Sequence, residues 1–199
     1  DLKISALIKD AQTQAKADDF ETGWKTLEKA HELNPESRLI QDKQTNFAML
    51  WLRKLLFKAN IEKYSDVTQR LLPVLYHAAN DTSGKAAADI LAHIGWANYL
   101  KWREDGSDLK ITDLFEDAIS NDSLNAYAHS MWGFWLMKRN DKYQQIPAAE
   151  LHFEKALQDG RDTSFVRLMQ LWAFLQSSYV EMQLPLFKAI NQMRINNEK

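Results

Sequence analysis

Residues 11–35 read AQTQAKADDFETGWKTLEKAHELNP. Ala11 is a small residue on one periodic apolar segment, Ala17-Asp18-Asp19 interrupts that segment, and a second one starts at Phe20. In the second segment Gly23, Leu27 and Ala30 follow one another at spacings of four and three, which places them on one face of a helix. Asn34-Pro35 then stops the helix, because proline has no N–H to give and disfavours helical backbone in the residue before it. The stretch predicts two antiparallel helices, 2–16 and 20–33, joined by a tight turn.

The same pattern recurs along the chain. A bulky apolar residue followed three places later by alanine occurs as Leu27 with Ala30, Leu75 with Ala78, Phe115 with Ala118, and Phe153 with Ala156. Four residues before each bulky member stand Gly23, Leu71, Ile111 and Ala149. Upstream lies a second series of small residues, Ala11, Gly95, Gly133 and Ala173, the last three flanked by Ile94 and Trp96, Trp132 and Phe134, Trp172 and Phe174. A glycine inside a helix costs about 1 kcal/mol relative to alanine, so close approach of a neighbouring helix is expected to offset it. Stop-and-cap clusters at Asn80-Asp81-Thr82-Ser83, Asn121-Asp122-Ser123 and Asp159-Gly160-Arg161-Asp162-Thr163-Ser164 divide the chain further. The expected helices are 2–16, 20–33, 37–60, 64–79, 84–103, 109–120, 124–139, 146–158, 163–181 and 184–195. They group into units of approximately 2–36, 37–82, 84–122, 124–162 and 163–195 within a single domain, 1–199. Pro73 is expected to kink its helix or mark its first turn, and 37–60 is expected to break near Asn60.

Composition limits the function. Of 199 residues, 45% are apolar and 26% charged, which suits a folded chain; six Gly and four Pro leave little of the turn chemistry a β-rich fold needs. The formal net charge is −2 without long runs of one sign, so no electrostatic footprint for nucleic acid or an anionic membrane is expected. Cysteine is absent, which excludes disulfides, thiolate nucleophiles and cysteine-based metal sites. No apolar run approaches the roughly 18 residues of a membrane span, and no signal peptide is visible ahead of the first helix.

The motifs of catalysis are missing. HExxH, GxGxxG, the P-loop and GxSxG do not occur. Asp89 and His93, one turn apart, have the spacing of a metal pair, but they also match an ordinary carboxylate and imidazole on one helix; His129 sits on an apolar helix and is expected to pack against a neighbour. Acidic groups such as Asp18 with Asp19 and Asp113, Glu116 and Asp117 fall on turns or polar faces. The sequons at Asn80 and Asn121 coincide with helix stops and caps, which explains them without glycosylation. Basic clusters at Arg53-Lys54-Lys58, Lys101-Arg103 and Lys138-Arg139-Lys142 offer charge either to helix C-termini or to acidic protein segments. Neither a cofactor nor catalysis is expected.

With these residues in place the chain resembles the tetratricopeptide repeat family. Ala11, Phe20, Gly23, Leu27, Ala30 and Pro35 fall at the spacings of that family's pattern; Gly95 with Phe115 and Ala118, and Gly133 with Ala149, Phe153 and Ala156, follow it with enlarged internal loops. The unit 37–82 keeps Leu75 and Ala78 without a clear small partner, and a closing proline stands only at Pro35. The resemblance implies an all-α fold, an α-solenoid of about four helix pairs with a C-terminal capping segment, whose first helices line a concave face that binds protein segments. It implies a non-enzymatic scaffold or adaptor; the alternative is the sensory or regulatory region of a larger protein whose output domain lies elsewhere. In the family's register Trp96, Tyr99, Tyr127, Phe134 and Phe174 fall on the concave face and form the expected partner groove, with Lys138 and Arg167 at its rim, whereas Trp24, Trp51, Trp132 and Trp172 belong to the core. The competing expectation fills that groove with Leu184–Ile195. Ile8, Gln12, Ala15 and Lys16 stand on the matching face of the first unit, and this set lacks the cations of a clamp for a partner's C-terminal carboxylate.

Overall fold

A computed structural model describes residues 2–57, 63–106, 110–138 and 142–175. Every regular element among them is an α-helix, so the fold is all-α, as the period of the apolar pattern requires. The chain forms two compact units, Asp1–Asn121 and Asp122–Lys199. The division falls at the Asn121-Asp122-Ser123 break that the sequence placed between two repeat units.

The first unit holds α1 (Leu2–Lys16), α2 (Phe20–Leu33), α3 (Arg38–Leu55), α4 (Tyr64–Asn80), α5 (Gly84–Asp105) and α6 (Ile111–Asn121). Each helix packs on the next along the chain, and α3 also meets both α1 and α5. Asp19 caps α2 by accepting the Thr22 N–H at 3.2 Å. α3 ends at Leu55, ahead of the expected break at Asn60, which lies outside the described residues. Pro73 sits in the interior of α4 on its exposed side. Glu104, near the end of α5, accepts the N–H groups of Tyr64 and Ser65 and so supplies the cap that Lys63 cannot give to α4. α5 ends at Gly106, whose φ of 66° is the left-handed conformation that glycine adopts without strain.

The core of this unit is aromatic where α2 meets α3. Phe20 lies edge-on to Phe47 at 5.6 Å between centroids and stacks on Trp51 at 6.1 Å, while Trp24 is tilted against both Phe47 and Trp51. Such pairs contribute about 0.5–1.5 kcal/mol each beyond the burial of their area. Arg70 of α4 covers the outer side of Trp51 at 5.4 Å and forms a two-pronged bond with Glu21 of α2, both N–O distances being 2.8 Å.

The second unit holds α7 (Ala126–Leu136), α8 (Lys142–Asp159) and α9 (Thr163–Leu175), with α7 and α8 packed on each other and on α9. Its N-cap is Asn125, whose side chain accepts the Ala128 N–H at 2.9 Å; the sequence pointed to the cluster ending at Ser123 instead. Asp159, at the end of α8, accepts the Ala126 N–H at 2.9 Å and is itself held by Arg161 at 2.8 Å. The expected helix 184–195 and its capping role lie outside the described residues.

The two recurring series in the sequence meet in space. A Cβ on Gly95 would come within 2.9 Å of the Phe115 ring, and one on Gly133 within 3.1 Å of both the Phe153 ring and the Ala149 carbonyl. Each mid-helix glycine is the seat for the bulky member of the pair on the following helix. A Cβ on Gly23 would meet the Ala11 carbonyl at 3.2 Å and the Phe47 ring at 2.5 Å, so the same close approach joins α2 to α1 and to α3. Ala30, Ala118 and Ala156 are fully buried, as the pattern predicted. Ala78 is only half-buried, in the unit that departs most from the pattern.

Candidate functional site

The expected aromatic groove is corrected at three of its five rings. Trp96 is 0% exposed and Tyr99 1% in the first unit, and Phe134 is 0% exposed in the second. The reason is that α5 is not amphipathic over this stretch. All nine residues from Ala92 to Leu100 are buried, and a helix covered on every side is a central element rather than the wall of an open groove. α3 approaches so closely that the Trp96 indole N–H donates to the Leu52 carbonyl at 3.1 Å, while the Trp96 ring lies 4.8 Å from that of Tyr99. Burial raises the Tyr99 hydroxyl beyond the ordinary phenol range. In α7, Phe134 is packed inward, and Lys138 lies over its ring at 5.2 Å.

The remaining residues of that set lie in the second unit and have local roles. Tyr127 is half-buried against Phe165, its hydroxyl 3.4 Å from Asp162 and its ring under Arg161. Phe174 is half-buried beside Phe153 at 6.4 Å. Arg167 is exposed and bonds Gln170 on its own helix at 3.0 Å. Among the tryptophans assigned to the core, Trp24 and Trp51 are buried, whereas Trp132 and Trp172 are half-buried.

An open groove does exist, between the two first helices of the N-terminal half. It encloses about 890 Å³. One wall is α1, with Ile8, Gln12, Ala15 and Lys16; the other is α3, with Lys43, Asn46, Leu50 and Lys54; Leu27 of α2 and Phe47 close the floor. The α1 wall is the set that the sequence placed on the partner-facing side of the first unit. The α3 wall was missed, although its signal was available: spacings of three, four and four align Lys43, Asn46, Leu50 and Lys54 along one helical face. This face runs lysine, asparagine, leucine, lysine, so it carries charge at both ends with an amide and one apolar side chain between.

The basic cluster Arg53-Lys54-Lys58 is divided by the fold. Lys54 turns to the groove, Arg53 turns inward, and Lys58 lies outside the described residues. Arg53 donates to His93 Nε2 at 2.8 Å; since a guanidinium only donates, His93 carries its hydrogen on Nδ1 and gives it to the Asp89 carbonyl at 2.6 Å. His93 is fully buried, and burial together with the Arg53 charge holds its pKa well below the usual range. Both ring nitrogens are engaged inside the protein, so the Asp89–His93 pair serves packing. Among the described residues no group of three or more His, Asp or Glu stands together as a metal site.

His129 is buried in α7, as its apolar helix suggested, and pairs with His152 of α8, Nδ1 to Nδ1, at 2.8 Å. His129 Nε2 faces the Ser123 carbonyl at 3.0 Å and must donate, so in the neutral pair its Nδ1 accepts the Nδ1–H of His152. Burial, then repulsion from His129 and Lys155, pushes His152 down to about 4, and burial lowers His129 as well. The Trp132 ring closes over His152 at 4.4 Å between centroids.

A second hollow, of about 570 Å³, lies among α2, α3 and α4, with Trp24, His31, Gln41, Arg70 and His77 on its walls. One of its two arginines, Arg70, is already committed to Glu21, and the hollow is smaller than the α1–α3 groove. Among the described residues no helix is long and apolar enough to cross a membrane. No family model, no curated protein and no solved structure matches the chain.

Proposed function

We propose that this chain is a non-enzymatic protein-interaction scaffold of the tetratricopeptide type, an α-solenoid of about four helix pairs, which takes a segment of a partner protein into the groove between α1 and α3. The observation that carries the reading is that groove: two first helices of successive pairs present an apolar floor and polar walls to solvent. The repeat assignment is supported by Gly95 seating Phe115 and Gly133 seating Phe153, the same small-on-bulky contact in both compact units. It is supported too by helices that, within each compact unit, pack each on its neighbour along the chain, with α3 meeting both α1 and α5. Helix pairs stacked in this way leave an extended face to bind through. Within the same unit the aromatics of α5 form core against α3, the Trp96 N–H reaching the Leu52 carbonyl.

The test is comparative affinity purification from the source cells with three baits: the native chain, Leu50→Glu in the groove, and Tyr76→Glu on the exposed face of α4. A partner retained by Tyr76→Glu and lost by Leu50→Glu is the expected result. Equal recovery from both variants argues against the groove.

A further inference from the structure

The groove also specifies the chemistry of its occupant. Three lysines border it, Lys16 on α1 and Lys43 and Lys54 on α3, against one acidic residue, Asp18. Among the described residues none of the three lysines is engaged in an ion pair or a ring contact. Other cations of the same unit are committed: Lys25 and Arg70 meet Glu21, and Arg103 lies over the Tyr64 ring. Between the lysines lie Ile8, Ala15 and Leu50 beside the amides Gln12 and Asn46, and Phe57 extends the apolar surface just past Lys54. Lys43 and Lys54 are eleven positions apart on one helix, which at a rise of 1.5 Å per residue separates them by about 16 Å along its axis. The groove is thus an apolar channel with unopposed positive charge towards both ends of one wall and a third cation across from them.

Resting on the reading of this groove as the docking site, we propose that its occupant is an acidic protein segment with an apolar centre: one or two large apolar side chains seated over Leu50 and Phe57, flanked on both sides by Asp or Glu reaching Lys43, Lys54 and Lys16. The apolar centre supplies the affinity, since a few well-seated anchors carry most of an interface's energy. The flanking carboxylates supply selection and speed of encounter, because like charges are rejected and opposite charges are steered in. Against an overall charge of −2, three lysines facing one carboxylate is a local excess of cations.

Fluorescence anisotropy with the full chain and three labelled peptides tests this. The peptides share a Leu-Phe centre, and their flanks are Glu and Asp, Ser and Gln, or Lys and Arg. The acidic peptide is expected to bind about tenfold tighter than the neutral one at about 50 mM salt, an advantage that shrinks at about 300 mM as the exposed charges are screened. The cationic peptide is expected to bind weakest. Lys43→Glu with Lys54→Glu should reverse the order of the acidic and cationic peptides, and Lys16→Glu, on the opposite wall, should weaken the acidic peptide independently should the double variant fold poorly by circular dichroism. Equal affinity for the acidic and neutral peptides overturns the acidic partner and leaves the groove as a docking site. Binding that survives Leu50→Glu unchanged, or failure of all three peptides to bind, overturns the groove and the acidic partner together.

Discussion

α3 and α5 are both first helices of their predicted pairs, and they make opposite use of that position. α5 is buried through nine successive residues from Ala92 to Leu100, aromatic rings included. α3 buries Ile40, Phe47, Ala48, Trp51 and Leu52 on one side and gives Lys43, Asn46, Leu50 and Lys54 to an open groove on the other. The difference lies in what flanks the apolar stripe. Around Gly95 nearly every neighbour is apolar or small, so the hydrophobic effect draws neighbours onto the whole circumference. Along α3 the face carries Lys43, Asn46 and Lys54 around Leu50, and keeping those polar groups in water keeps that face open. The aromatic residues of α5 therefore belong to the core, whereas the lysines and asparagine of α3 mark the face left open to solvent.

The largest expected effect comes from treating the α5 aromatics as a partner surface. Trp96→Ala should destabilise the chain by about 3–5 kcal/mol, as the truncation of a buried tryptophan does, with the loss visible in denaturant melts. A fully stable Trp96→Ala variant that had lost only partner binding would reverse the comparison. Next come the repeat alanines. Ala118→Glu and Ala156→Glu should each cost about 2–4 kcal/mol through overpacking and an unpaired buried charge. Unchanged melting temperatures in both would show that the small-on-bulky contacts do not build the core.

A pH titration sharpens the picture of the second unit. His152 and His129 have folded pKa values below their unfolded ones, so the unfolded chain binds more protons between about 6.5 and about 4. Their contribution to stability is complete above about 6.5 and is lost as pH falls towards about 4. His93, depressed in the same direction, adds to the loss in the first unit. The melting temperature should fall across this window, and His152→Gln should make the fall shallower; an equal or steeper slope in that variant would contradict a neutral histidine pair. The smallest effect on folding belongs to the groove. Lys54→Glu, at an exposed position, should change stability by no more than about 0.5 kcal/mol while altering what binds.

Much of the fold was legible because its signals are local. Helix boundaries followed caps and stops such as Asp19 and Asn34-Pro35. The pairing of Gly95 with Phe115, and of Gly133 with Phe153, follows from a repeat in which a small residue must seat a large one. The site was less legible. Register alone placed Trp96, Tyr99 and Phe134 on the inner face of their helices, but register does not say whether that face is open. The missing information was the circumference: the run from Ala92 to Leu100 carries only His93 and Asn98 as polar residues, and reading it as a helix buried all round would have removed Trp96 and Tyr99 from the groove. The division of Arg53 from Lys54 was hidden for another reason. Adjacent residues on a helix point about 100° apart, so a basic cluster in sequence can face His93 with one member and solvent with the next.

The account rests on the α1–α3 groove being the place where a partner docks, and site-specific photo-crosslinking tests this most directly. A benzophenone amino acid is placed at position 46 in the groove or at position 76 on the exposed face of α4, and each chain is irradiated in the source cells. The account predicts a discrete protein adduct from position 46 that is absent from position 76 and that is lost when Leu50→Glu is added. No adduct from position 46, or the same adducts from both positions, would contradict it.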